Sequence, residues 1–170
     1  MSTSPLYSSI KNAFDSAGWS YAEVADREVI RAGFEAHHTR VDLHVQAFEK
    51  LSTASVVSES LQETTDPAKR ERLAELAMRV NQTLTVGNFE MDWDSGRLMF
   101  RLSNIFPDAS GDISIIQGLI HNTVGEMDRI APLISLIHQS EGPALAALDV
   151  RNMMNREDLL PPVESEETSS

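Results

Sequence analysis

No cysteine occurs in the 170 residues. Disulfides, thiolate zinc sites, iron–sulfur clusters and cysteine nucleophiles are excluded together. Basic residues are also scarce, with 14 Lys and Arg against 26 Asp and Glu, a formal net charge of −12 and a pI near 4.7. Phosphate contacts need clustered cations, so this balance argues against nonspecific binding to nucleic acid or anionic membrane. No long uninterrupted apolar run is present. Ile113 to His138 is broken by Gln117, His121, Asn122, Glu126, Asp128 and Arg129, which reads as amphipathic rather than membrane-spanning. The N-terminal MSTSPLYSSIKNAF has neither a basic region nor an apolar stretch. It is not read as a secretory signal, and a soluble cytoplasmic protein is expected. Also missing are G-x-S-x-G, the phosphate-binding G-x-x-x-x-G-K, G-x-G-x-x-G and H-E-x-x-H, so no motif nominates a catalytic centre, a cofactor or a metal. A triad assembled in space is still compatible with the sequence. The length fits one domain that buries enough surface to need no covalent staple.

What is there divides by period. Ser4-Pro5 is a cap followed by proline at the first helical position, and Leu6, Ile10, Ala13 and Ala17 recur at helical spacing up to Gly18. From Trp19 to about Ser60 the period becomes two. A weak strand is expected at Trp19–Val24, and strands around Ile30–Phe34, Val41–Ala47 and Thr53–Leu61. A hairpin closed at His37-His38 sets Phe34 opposite Val41, Ala32 opposite Leu43 and Glu35 opposite Arg40, with Arg31 beside Asp42. A one-residue slip would destroy both the apolar and the charge matches. Asp66-Pro67 repeats the helix-start signal, with Leu73, Leu76, Ala77, Val80 and Leu84 as its stripe. A second hairpin is expected through a two-residue loop at Ser95-Gly96. It would pair Asp94 with Arg97 and Glu90 with Arg101, and stack Trp93 on Leu98, Met91 on Phe100 and Phe89 on Leu102. Ser110 or Asp112 caps a long helix seamed by Ile113, Ile116, Ile120, Met127, Ile130, Ile134 and Ile137. Pro132 should kink it or split it in two. Pro143 opens a short helix carrying Leu145 and Leu148.

The order α-β(3–4)-α-β-β-α reads as α+β, an antiparallel sheet of five to six strands with helices on one face. The expected organisation is one domain over 1–142, a short C-terminal helix over 143–155 and an acidic tail over 156–170. That tail sets Arg156 against five acids and contains Pro161-Pro162. It is read as disordered, either a solubilising end, which is favoured, or a docking segment.

Candidate chemistry is thin. Asp92-x-Asp94-x-Gly96 resembles the start of a calcium loop, but the glycine comes one residue early and the closing acidic position holds Ser103. A solvated sheet face is the preferred reading. Asp42, His44 and His38 could in principle share a divalent metal, though hairpin histidines commonly do without one. His121 and His138 are taken as helix-surface residues. Gly118 and Gly125 lie seven apart on the long helix, which favours close packing on the sheet over close approach to a partner helix. Met153-Met154 suits either an adaptable binding surface or a helix end resting on the core.

One stretch carries a resemblance: Arg70-Glu71-Arg72-Leu73-Ala74-Glu75-Leu76, Val80-Asn81-Gln82-Thr83-Leu84, Val86-Gly87-Asn88-Phe89-Glu90-Met91-Asp92 and Ser95-Gly96-Arg97-Leu98-Met99-Phe100-Arg101, followed by Asp128-Arg129-x-x-Pro132. Over roughly residues 5–140 the chain resembles the YbjN family. The positions that match its run are Asn81, Gly87, Phe89, Asp92, Gly96, Arg97, Phe100 and Arg101, all readable as structural. The resemblance implies a fold like that of type III secretion chaperones, commonly dimeric, in a family described as sensory transduction regulators with no catalytic residues to carry over. The expectation is a non-enzymatic homodimer that holds a segment of a client protein. The alternatives are a signalling or stress regulator that binds a small ligand, and an unrecognised enzyme. Neither nucleic acid nor membrane is an expected partner.

Overall fold

The three longest helices begin where a side chain takes over the first free N–H groups. In the computed structural model, which describes residues 3–108 and 110–156, Ser4 accepts from Tyr7 N–H to start α1 (Pro5–Ala17). Asp66 accepts from Ala68 N–H to start α2 (Pro67–Asn81). Asp112, not Ser110, accepts from Ser114 and Ile115 N–H to start α3 (Ile113–Gln139). Each such cap contributes about 1 kcal/mol. Gly18 closes α1 in the left-handed region at φ 70°, where a side chain would be strained. The tail expected over 156–170 lies, beyond Arg156, outside the described residues.

The strands are β1 (Ala22–Glu23), β2 (Val29–Glu35), β3 (Arg40–Phe48), β4 (Thr53–Glu59), β5 (Asn88–Asp92) and β6 (Arg97–Ile105). They form one antiparallel sheet in the order β1-β2-β3-β4-β6-β5. The first hairpin has the register that its charges and apolar residues dictate: Phe34↔Val41, Ala32↔Leu43 and Glu35↔Arg40. A row of Ile30, Val45, Val56 and Leu102 crosses four strands and is buried beneath α1, α2 and α3, which all lie on this face. The fold is therefore α+β with a six-stranded antiparallel sheet, and its other face carries Arg31, His44 and Arg101.

The second hairpin differs from the sequence reading by two residues. Asp92 pairs with Arg97, Met91 with Leu98, Phe89 with Phe100 and Asn88 with Arg101. A two-residue hairpin loop at Ser95-Gly96 needs φ > 0 at both positions, or at the first alone. Here only Gly96 has it, at 68°. The chain instead makes a four-residue turn, Trp93 to Gly96. The Asp92 carboxylate accepts from Asp94 N–H and Ser95 Oγ, and its carbonyl accepts from Gly96 N–H at 2.8 Å. An even shift keeps every side chain on its expected face, so Phe89 still packs on Phe100 with ring centroids 4.9 Å apart.

Five further expectations change. Pro132 does not split α3, which runs unbroken for 27 residues. Ile130, Leu133, Ile134 and Ile137 are buried on both sides of the proline, so core packing outweighs the one lost hydrogen bond. Gly118 and Gly125 are not close-packing sites, since a Cβ at either would meet nothing within 4 Å. They lie off the side of α3 that Ile116, Ile120 and Met127 bury. Leu84 falls beyond the end of α2, and Ile113 is exposed rather than part of the seam. The single helix expected over 143–155 is two, α4 (Gly142–Ala146) and α5 (Val150–Met154). Leu145, Val150 and Met153 are buried against the rest of the core.

Candidate functional site

Strands β3 and β4 part before β3 begins. Their pairing runs from Phe48↔Thr53 to Leu43↔Ser58, while β3 starts three residues earlier, at Arg40. Past Ser58 the chain stays with β6: Glu59 pairs with Met99, and Ser60 N–H donates to the Leu98 carbonyl at 2.8 Å. The Ser60 hydroxyl accepts from Leu98 N–H and donates to the Gln62 carbonyl, and Thr64 N–H reaches the Ser95 carbonyl. These bonds draw residues 60–64 toward the β5–β6 turn and away from β3. The result is a wedge of about 370 Å³, bordered by Arg40 and Val41 on one side and by Glu59 to Gln62 on the other. Its floor is α3, through Met127, Ala131, Pro132 and Ile134. Leu61, two-thirds exposed, stands at its mouth and also borders a shallower basin on the outer face of the sheet.

One residue sets the position of the wedge. The Asp128 carboxylate, buried on α3, accepts from His38 N–H at 2.7 Å and Thr39 N–H at 3.0 Å. It thereby pins the β2–β3 hairpin tip to the helix. Pro132 lies four residues on and brings no N–H to the Asp128 carbonyl. The charged groups at the rim are paired with each other. Arg40 holds Glu35 at 2.8 Å and Asp42 at 3.0 Å, and those two carboxylates push its guanidinium pKa up. Glu59 lies 3.3 Å from Arg97. Apolar floor, polar strand borders and paired rim charges suit the holding of a ligand better than the making or breaking of a bond.

The family-run residues sit elsewhere, around β5, β6 and α2. Asn81 donates from Nδ2 to the Phe89 carbonyl at 3.0 Å and accepts Phe89 N–H at Oδ1 at 2.7 Å. Its carboxamide thus does for the β5 edge what another strand would do. Gly87 has φ 73°, and a Cβ there would strike the Phe100 ring. At Gly96 a Cβ would strike the Thr64 carbonyl. Arg101 pairs with Glu90 at 2.9 Å, as the sequence suggests, but diagonally, and holds that carboxyl below its usual range. The Ser95 hydroxyl and the Asp94 and Ser95 amides lower Asp92 similarly. Arg97 binds Glu59 and Glu63 rather than Asp94. Of the eight residues, only Arg97 borders the outer basin.

The candidate metal residues do not converge. Asp42 is engaged by Arg40. His44 lies on the outer face beneath Arg31 and Arg101, and burial pushes its pKa down, with the two arginines adding to the effect. Among the described residues no group of three His, Asp or Glu is placed to hold an ion. His121 is exposed and meets Trp19 edge-to-face. His138 is not a surface residue. It is half-buried with its Nε2 enclosed, and burial lowers its pKa, with Lys69 adding to the effect. The groove residues Ser58, Ser60, Leu61 and Ala131 carry no motif, and the only sequence signal near them is Asp128-Arg129-x-x-Pro132. No helix among the described residues is long and apolar enough to cross a membrane.

Comparison with known proteins agrees with the architecture. The family model YbjN, described as "Putative bacterial sensory transduction regulator", matches residues 7–120. The fold is similar to "Crystal structure of YbjN, a putative transcription regulator from E. coli", with 12% identity, a TM-score of 0.57, and coverage of 79% of this chain and 94% of that one. A weaker likeness, at a TM-score of 0.48 and 12% identity, is to "Structure of the HopA1-SchA Chaperone-Effector Complex", over 71% of this chain and 88% of that one. No curated protein matches the sequence.

Proposed function

The chain belongs to the YbjN family, and from that premise we propose that it is a non-enzymatic regulator that holds an extended segment of a partner protein in the wedge between β3 and β4. The observation that carries this reading is the parting of the two strands over an apolar floor. An extended peptide brings backbone donors and acceptors for the strand borders and a side chain for the Ala131–Pro132 floor. The net charge of −12 disfavours a nucleic-acid partner.

A photo-reactive side chain at Leu61 tests this in cells, with Met78, equally exposed on α2, as the control position. The expected result is a discrete protein adduct at Leu61, absent at Met78 and lost when Ala131→Trp fills the groove. Adducts that are the same at both positions, or that survive Ala131→Trp, would overturn the proposal. The volume of the wedge also falls within the small-molecule range of about 300–1,000 Å³, which favours a small-ligand regulator as the second reading. A metabolite whose thermal stabilisation of the protein disappears in Ala131→Trp would select it.

A further inference from the structure

The β3 border of the wedge offers donors more than acceptors. Ala36 N–H donates to the Thr39 carbonyl and Ala47 N–H to the Glu28 carbonyl. Odd-numbered residues of β3 therefore turn their backbone groups to β2, and even-numbered ones turn theirs away from it. Arg40 and Asp42 thus point their backbone into the wedge. Their carbonyls already accept hydroxyls, Arg40 from Thr39 at 3.3 Å and Asp42 from Ser58 at 2.8 Å. Their N–H groups lie beyond Leu43↔Ser58, the last pair with β4. Such a border favours a segment that brings carbonyls and few N–H groups, which is what proline brings. Across Leu61 the wedge opens onto the outer basin, and the two share Arg40, Glu59 and Ser60. The basin's own carboxylates are neutralised, Asp42 by Arg40 and Glu59 by Arg97. Arg31 is exposed beside them, and among the described residues its guanidinium has no hydrogen bond or ion pair. An apolar floor that opens onto an unmatched cation suits an apolar, proline-bearing segment followed by acid.

We propose that this chain's own segment Pro161-Pro162-Val163, followed by Glu164, Glu166 and Glu167, occupies the wedge and competes with the partner segment, with Val163 on the Ala131–Pro132 floor and the acids beside Arg31. This regulation rests on the wedge being the partner site. Residues 157–170 hold five acids and no Lys or Arg, so their charge complements Arg31 without a base of their own. The length of chain allows the contact. α5, which ends two residues before Arg156, packs on α2. α2 has 15 residues and is about 22 Å long, and its first turn follows directly on the wall that carries Leu61 and Gln62. The seven residues from Arg156 to Val163 reach up to about 24 Å, enough to run the length of α2 to the Gln62 side of the wedge. The acids that follow then pass Leu61 to the outer face.

Photo-crosslinking of the purified full chain tests this, with a photo-reactive side chain at Leu61 and mass spectrometry to locate the adduct. The expected product links position 61 to residues 157–170 of the same molecule, in a yield independent of dilution. It should vanish in Val163→Asp and in Ala131→Trp, whose fold circular dichroism confirms. In Arg31→Ala it should fall severalfold, at most about fivefold, as for one exposed ion pair. A missing link, a link that survives Val163→Asp, an unchanged yield in Arg31→Ala, or a link only between two molecules would overturn the proposal. The same probe in cells separates it from the partner reading. Val163→Asp is expected to raise the partner adduct severalfold, because the segment no longer competes. A partner adduct that Val163→Asp leaves unchanged overturns the competition and keeps the partner site. A link to residues 157–170 in the purified chain with no partner adduct in cells overturns the partner site and keeps the docked segment.

Discussion

At β5 the sheet ends against a carboxamide: Asn81 bonds both outward backbone groups of Phe89, and α2 packs alongside. At β2 the sheet ends on a two-residue strand that leaves Gly33 and Glu35 uncovered. Both are edges of the same sheet. One is finished by a polar side chain from within the fold, and the other presents donors and acceptors to whatever approaches. Of the residues that mark the family, the eight of the β5–β6 run cluster at the finished edge, whereas the wedge and the uncovered border lie around the β2–β3 hairpin, which Asp128 and Pro132 approach from α3. A motif can thus report how a sheet edge is closed without reporting where strand pairing ends.

One substitution should open the closed edge. Asn81→Ala leaves a part-buried N–H and C=O of Phe89 without partners, at a cost of about 2–4 kcal/mol. Urea unfolding should show that loss, and light scattering should show new self-association from an opened β5. A variant as stable and as monodisperse as the wild type would mean that water or α2 substitutes for the carboxamide. At the other end, Asp128→Ala releases the hairpin tip from α3. Two charge-assisted hydrogen bonds disappear, and about 2 kcal/mol of stability should go with them. Amide exchange should accelerate at His38 and Thr39 while remaining slow at Phe89. The same rate at all three would remove the distinction between a tethered and an untethered hairpin.

The smallest effect is one of pH. Burial holds His44 below the ordinary histidine value of 6.5. As pH falls the unfolded chain takes up that proton first, so the stabilisation is complete above about 6.5 and declines below it. His44→Gln should flatten the slope between neutral pH and mild acid by no more than about 1 kcal/mol. Glu90 has the opposite origin and the same direction. Arg101 holds its carboxyl low, so the pair contributes above the ordinary glutamate range and is lost as pH falls through the depressed value. Exposure keeps that contribution under about 1 kcal/mol. Stability profiles of His44→Gln and Glu90→Gln should therefore diverge from the wild type in separate pH windows.

Local sequence was enough for the element order, for helix starts at Ser4 and Asp66 and, within two residues, at Asp112, and for the register of the β2–β3 hairpin. Caps and cross-strand pairs are local, and an alternation of period two with matched charges admits one alignment. The register of β5 with β6 was legible only to within two residues, because side-chain parity is the same in both alignments and the turn geometry at Asp92 decides between them. The rest waited on long-range packing. Whether Pro132 breaks α3 depends on what the flanking isoleucines bury. Whether Gly118 and Gly125 are close contacts depends on which side of α3 meets the sheet. The wedge exists because Ser60 follows β6 rather than β3, a choice made by Leu98 and Ser95, which lie far along the chain from the residues they hold. The open border at Gly33 exists because β1 does not begin until Ala22. Neither feature has a motif on its strands, since each is a place where pairing ends, and an ending of that kind is fixed by competing long-range contacts rather than by the residues on the spot.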